Sequence, residues 1–94
     1  MSKGTRVEIS EDVACEQLDG ETVVLNPTSG VYFSLNASGT VVWDALVRYR
    51  DTALAETELA RQFNITEAQA RVDVQELTAQ LCDAGLLRRD EDRA

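Results

Sequence analysis

The chain has 94 residues, of which 44% are hydrophobic, and its 17 acidic and 9 basic side chains give a formal net charge of −8. This length and composition predict one folded domain, residues 1–94 with a core over about 13–88, and argue against intrinsic disorder. The charge disfavours nucleic acid as a partner, because its phosphates would be repelled. No apolar run of roughly 18 residues occurs, so we predict no membrane span, no signal peptide and a cytoplasmic location.

Strand patterns fill the first part of the chain. Residues Arg6–Ile9 alternate in polarity and predict a short edge strand before the main hairpin. Two further strands, Val13–Leu18 and Glu21–Leu25, are separated by Asp19-Gly20, a pair suited to the positive φ angles of a two-residue type I′ turn. We therefore expect an antiparallel hairpin here.

A third strand is predicted at Val31–Leu35, after a turn over residues 26–30 that contains Pro27 and Gly30. Its side chains alternate between two faces, with Val31, Phe33 and Leu35 on one and Tyr32 and Ser34 on the other. One of the two sets must face the core. The three strands predict an antiparallel sheet.

Two helical patterns follow the sheet. Asn36 is a good N-cap for the first, Ala37–Arg48. The apolar stripe of this helix and its junction with the sheet comprise Val42, Trp43, Ala45, Leu46 and Tyr49. The second helix, Ala55–Phe63, is expected to bury Leu59 and Phe63.

A third helix begins after Thr66, which together with Gln69 matches a capping box in which each side chain satisfies a free N–H. Its apolar stripe comprises Ala70, Val74, Leu77, Leu81 and Ala84. Gly85 supplies the C-terminal cap, and Leu86-Leu87 can fold back onto the core. The whole pattern predicts an α+β fold of the winged helix-turn-helix type, a three-stranded antiparallel sheet followed by three helices.

Residues for catalysis or metal binding are missing from these patterns. The chain has no histidine, and Cys15 and Cys82 lack the spacing of a zinc site, so we interpret both as small buried or half-buried hydrophobic residues. The carboxylates of the third helix are interpreted as a solvated face. We predict no catalytic residue, no metal and no cofactor, so the protein is not expected to be an enzyme.

An edge strand offers a binding site, because an extended peptide can pair with its unused backbone groups. If Val31–Leu35 lies at an edge beside the third helix, Asp73, Glu76 and Gln80 would line a groove wall next to Leu77. Val72 is an apolar residue further round that helix, on a side that faces outward. The alternative is that Tyr32 and Val72 are ordinary partly exposed residues.

Two runs of sequence carry a family resemblance. The first is Leu25–Asn36, followed by Gly39, Val42 and Trp43, and the second is Ala70–Val74 with Leu77, Leu81 and Gly85-Leu86-Leu87. In order and spacing they resemble PqqD-like proteins over about residues 13–88, and in particular the small stand-alone members that serve lasso-peptide biosynthesis.

This resemblance implies a RiPP recognition element, a winged helix-turn-helix domain that captures the leader segment of a ribosomally made precursor peptide instead of DNA. The leader would add as a strand to Val31–Leu35 and lie in the cleft with the third helix. The helical wall would comprise Val72, Asp73, Glu76, Leu77 and Gln80. Asp73 matches a family motif position, and the other helical assignments rest on facing geometry. The expected partner is a cysteine-protease leader peptidase or another modifying enzyme.

Two other functions stay open at this point. Within the same family, the chain could be a PqqD-type chaperone that presents a precursor to a radical SAM enzyme. An acidic helix-turn-helix transcription regulator ranks behind, because the third helix carries Glu67, Asp73, Glu76 and Asp83 where DNA phosphates require Lys or Arg. We expect a monomer or a weak homodimer, since an unpaired third strand can pair with its twin.

Overall fold

A computed structural model describes residues 4–90, so the first three and last four residues of the predicted domain lie outside the described residues. The elements are β1 Val7–Ile9, β2 Ala14–Leu18, β3 Glu21–Asn26, β4 Val31–Leu35, α1 Ala37–Tyr49, α2 Thr52–Phe63, α3 Glu67–Asp83 and β5 Leu87–Arg89. The α+β fold, with a three-stranded antiparallel sheet followed by three helices, is confirmed. Within residues 4–90, none of the helices is long and apolar enough to cross a membrane.

The main sheet has the strand order β2-β3-β4, so β4 lies at one edge and β2 at the other. Asp19 and Gly20 have φ angles of 52° and 79°, which confirms the tight turn between the first two strands of this sheet. The register places Leu35 opposite Thr22 and Phe33 opposite Val24. Because Thr22 and Val24 are buried, Val31, Phe33 and Leu35 form the set that faces the core.

The short strand predicted at Arg6–Ile9, before the main hairpin, exists as β1 over Val7–Ile9. β1 pairs with β5 in a separate two-stranded antiparallel sheet. Gly85 (φ 77°) turns the chain after α3, so that Leu86 and Leu87 fold back into the core as predicted and lead into β5. Val7, also buried, anchors β1 on the same core.

The helix caps follow the sequence closely. Asn36 Oδ1 accepts a hydrogen bond from the Gly39 N–H at 2.9 Å, and Thr66 Oγ1 accepts one from the Gln69 N–H at 3.0 Å. The returning half of the predicted capping box, in which Gln69 Oε1 would accept from the Thr66 N–H, is not among the hydrogen bonds of residues 4–90. Gln69 Nε2 donates to Asp73 Oδ1 at 2.9 Å, so this side chain is directed toward the next turn of the helix instead of back to its start.

Three burial predictions were also wrong. Tyr49 and Phe63 are exposed, because each occupies the last turn of its helix, just before Arg50 and Asn64 in the left-handed conformation end α1 and α2. Cys15 lies on β2, whose five residues are all exposed. Cys82 is half-buried, as expected. Among residues 4–90, fourteen buried apolar residues, of which Trp43 is the largest, form one cluster between sheet and helices.

Candidate functional site

β4 has an edge with which no strand pairs among residues 4–90, since its only strand neighbour in the described sheet is β3. In an antiparallel strand, alternate residues direct their N–H and C=O groups away from the paired side. These groups are available to another extended chain, and they face α3 across a groove.

The groove is a cleft of about 330 Å³ between β4 and α3. Its walls and floor comprise Phe33, Ser34, Leu35, Asn36, Ser38, Gly39, Val42, Leu59, Asp73, Glu76, Leu77 and Gln80. The floor is apolar, because Leu35, Val42 and Leu59 are at most 3% exposed and belong to the core cluster. Polar groups surround this floor at the rim.

The end of the groove is set by the immediate transition from β4 to α1. Asn36 follows Leu35 directly and caps the helix, so the first turn of α1 lies against the end of the strand. A Cβ atom at Gly39 would lie 3.2 Å from Leu35 Cβ and 3.3 Å from Asn36 Oδ1, tighter than ordinary packing. The missing side chain at Gly39 therefore allows this close approach.

The α3 wall is acidic. Asp73 and Glu76 both line the groove, and no basic side chain is among the lining residues of the described chain. The hydrogen bond from Gln69 Nε2 fixes one oxygen of Asp73 and leaves its other oxygen available to a ligand. Leu77, on the same wall, is partly buried against the core. The arrangement suits an extended ligand with apolar side chains and at least one basic group.

The structure brings seven of the ten predicted site residues to this groove: Phe33, Ser34, Leu35, Asp73, Glu76, Leu77 and Gln80. The other three lie elsewhere. Tyr32, 68% exposed, points to the opposite face of the sheet beside Leu25, and Val31 lies at the turn end of the strand. Val72 lines a separate depression between α2 and α3, about 100° around the helix from Asp73.

Sequence reasoning missed five lining residues, namely Asn36, Ser38, Gly39, Val42 and Leu59. A signal for three of them was present. A strand that ends directly at an N-cap residue must be followed by the first turn of a helix at the same end of the sheet. The contribution of Leu59 depends on how α2 packs, which the local pattern does not contain.

Two solved structures share this fold. The structure of TbiB1 in complex with the TbiA(beta) leader peptide aligns with a TM-score of 0.79 and 24% sequence identity, over 93% of this chain and 98% of that chain. A lasso peptide synthetase B1 complexed with the leader peptide aligns with a TM-score of 0.77 and 21% identity, over 87% and 96% of the two chains. At these identities the likeness establishes a common fold.

No curated protein sequence matches the chain significantly. A family model described as coenzyme PQQ synthesis protein D (PqqD) matches residues 21–87, from the start of β3 to the start of β5. This match includes β4, α1 and α3, the elements that form most of the groove. Because it spans well over half of the sequence, the chain belongs to the PqqD family.

Proposed function

We propose that this protein binds the leader region of a ribosomally synthesised precursor peptide and delivers it to a maturation enzyme. The leader would add as a strand along β4, in the groove against α3. The recipient we propose is a cysteine-protease leader peptidase of lasso-peptide biosynthesis, and the protein itself would be non-catalytic. The observation that carries this proposal is the unpaired edge of β4 facing the groove.

Strand addition suits the dimensions of the site. β4 has five residues and spans roughly 17 Å, enough to pair with a peptide segment of similar length. Alternate side chains of such a peptide would point toward Phe33 and Leu77, where they would bury apolar surface. Backbone pairing would supply affinity, and these pockets would supply specificity.

The charge of the groove gives a second line of support. A leader with a lysine or arginine beside its apolar anchors would be attracted by Asp73 and Glu76. The same charges oppose nucleic acid, since DNA phosphates would meet carboxylates on α3. The proposal also agrees with the two solved structures of the same fold, both of which are complexes with leader peptides.

Backbone pairing is tested directly by N-methylating a bound peptide one residue at a time. The probes are synthetic peptides from any short reading frames that lie beside the gene for this protein, with the TbiA(beta) leader for comparison. We expect affinity to fall at every second residue only, because alternate N–H groups donate to β4. NMR shifts should be confined to Val31–Leu35, Asp73, Glu76, Leu77 and Gln80. A loss without period two would contradict strand addition, and shifts with duplex DNA alone would favour the regulator.

Membership of the PqqD family favours a second recipient for the same groove, a radical SAM enzyme to which the protein would present the precursor as a chaperone. Exchanging the enzyme separates the two proposals. The protein should accelerate leader cleavage by the peptidase if the first is correct, and modification by the radical SAM enzyme if the second is. We further propose that the unliganded protein is a monomer or a weak homodimer paired through β4.

A further inference from the structure

A second cavity, about 480 Å³ in volume, lies on the other side of α3 from the groove. All seven residues that line it are polar, and they come from β5, α2, α3 and the segment before β1. At roughly 100° per residue, Thr78 lies about 160° around α3 from both Glu76 and Gln80, so one helix separates the two sites. We refer to this second site as the polar cavity.

Thr78 is the most informative residue of the polar cavity. It is 1% exposed, and its Oγ1 has no hydrogen-bond partner, the only such buried side-chain atom among residues 4–90. A buried hydroxyl without a partner costs about 1–3 kcal/mol. An apolar side chain at this buried helical position would avoid that cost, and valine has nearly the same shape as threonine. The orphaned hydroxyl therefore indicates a ligand that accepts its hydrogen bond.

Further donors surround Thr78 and are held in place. The Thr5 N–H donates to Thr52 Oγ1 at 2.8 Å, and the Thr52 N–H donates to the Thr5 carbonyl oxygen at 3.0 Å. This reciprocal pair fixes the Thr52 hydroxyl, whose own hydrogen has no acceptor in the described part of the chain. Gln75 adds an amide from the same side of α3 as Thr78.

The charge of the polar cavity is opposite to that of the molecule. Arg71 and Arg89 line it, and neither guanidinium forms an ion pair within residues 4–90, where the two ion pairs present use Arg61 and Arg88. Glu56 is the one acid of the lining. Two positive groups and one negative group give the lining of this cavity a net positive charge in a chain of net charge −8, which favours an anion there, with the carboxylates of Asp51 and Glu67 near Glu56 but outside the lining.

We propose that the polar cavity binds a protonated phosphate group, either inorganic phosphate or the phosphate of a small phosphomonoester. Two guanidiniums, the hydroxyls and the amide offer more donors than the two oxygens of a carboxylate can accept, whereas a phosphate has four oxygens. Glu56 selects between tetrahedral anions. Its carboxylate accepts the proton that inorganic phosphate retains near neutral pH, and it repels sulfate, which carries no proton there. A monoester, whose second pKa is about 6, offers this proton only in its monoanionic form, a minor fraction at pH 7.

The test is an NMR titration of the full chain with sodium phosphate, sulfate and acetate, at pH 7 and constant ionic strength in phosphate-free buffer. We expect shifts at Thr52, Arg71 and Thr78, and affinity for phosphate about 10-fold above that for sulfate. A parallel titration with glycerol phosphate identifies the source of the group. Tighter binding of the ester assigns a phosphomonoester, and tighter binding of the free ion assigns inorganic phosphate.

Four variants separate a built site from general charge attraction. Arg71→Gln should weaken phosphate binding about 10-fold and Thr78→Val about 3-fold to 10-fold, because each removes a donor. Arg48→Gln, an exposed arginine away from the cavity, carries the same charge change as Arg71→Gln and should alter affinity less than about 2-fold. Glu56→Gln should abolish the preference for phosphate over sulfate.

The state of the Thr78→Val protein is checked by thermal unfolding. In phosphate-free buffer it should be at least as stable as the parent, because the orphaned hydroxyl is gone. Phosphate should then raise the unfolding temperature of the parent more than that of the variant. Equal phosphate affinity in parent and Thr78→Val, or equal losses in Arg48→Gln and Arg71→Gln, would overturn the proposal. So would a wild-type affinity for sulfate equal to that for phosphate.

Discussion

On one side of α3, Asp73 and Glu76 line an acidic groove beside β4, whereas on the other Arg71 and Thr78 line a cavity that carries net positive charge. Both sites use the same rigid helix, and their side chains are only a few residues apart in sequence. The 3.6-residue turn of the helix separates them. The groove has the sign of the overall charge of −8 and the polar cavity has the opposite sign, which shows that local placement decides the field that a ligand meets.

The largest effects are expected from truncating two leucines of α3. Leu81 is completely buried in the core between the two sites, so Leu81→Ala should lower the free energy of unfolding by about 2–5 kcal/mol. Leu77 is partly buried in the groove wall, so Leu77→Ala should cost less, about 1–2 kcal/mol, while weakening peptide binding about 10-fold. Urea unfolding and peptide titration measure the two effects. Undiminished peptide affinity in folded Leu77→Ala would remove Leu77 from the site.

Reversal of the acidic wall tests whether the groove works by charge. The double variant Asp73→Lys/Glu76→Lys should weaken binding of a leader that carries a basic residue by about 30-fold and leave phosphate binding in the polar cavity within about 2-fold. The matched control is Glu11→Lys/Glu21→Lys, which changes the net charge equally at exposed positions outside both sites. If the control weakens leader binding as much, the effect comes from net charge and not from the groove.

The smallest predicted effect concerns Glu56, the acid of the polar cavity. Burial raises the pKa of Glu56 above its ordinary value of 4.5; Arg71 opposes this shift, while Asp51 and Glu67 add to it. The folded state therefore holds this proton more tightly than the unfolded state, and the stability contribution is lost as pH rises above about 4.5. Glu56→Gln should match the parent near pH 4 and exceed it at pH 7, by less than about 0.5 kcal/mol because solvent screens the partly exposed group.

Urea unfolding of both proteins from pH 4 to 7 in phosphate-free buffer measures this difference. The parent curve should fall relative to that of Glu56→Gln as pH rises. An opposite slope would mean that the attraction of Arg71 exceeds the cost of burying Glu56.

Most of the groove was predictable because its elements carry local signals. β4 was found at its observed boundaries, since Pro27 and Gly30 mark the turn before it and Asn36 marks the helix after it. The acidic wall followed from the spacing of Asp73, Glu76 and Gln80 on one helix. Val72, predicted as part of the same wall but further round the helix, lines a separate depression, because a rotation of roughly 100° around the helix separates it from Asp73.

The polar cavity had no signal of this kind. Its members come from residues 5–89, and polar residues so far apart form no motif. Thr78 illustrates the difficulty, because a threonine beside Leu77 in a helix predicts an ordinary surface residue. Only its burial and its lack of a partner distinguish it.

The sequence by itself determined the strands of the main sheet, the caps at Asn36, Thr66 and Gly85, and hence the order of elements that identifies the family. Each of these features is satisfied by hydrogen bonds or backbone angles within a few residues. The tertiary structure decided the pairing of β1 with β5 and the depth of the groove and the polar cavity. Those features depend on contacts between residues up to 84 positions apart, such as the Asp90 N–H and the Arg6 carbonyl, which form only when the whole core has closed.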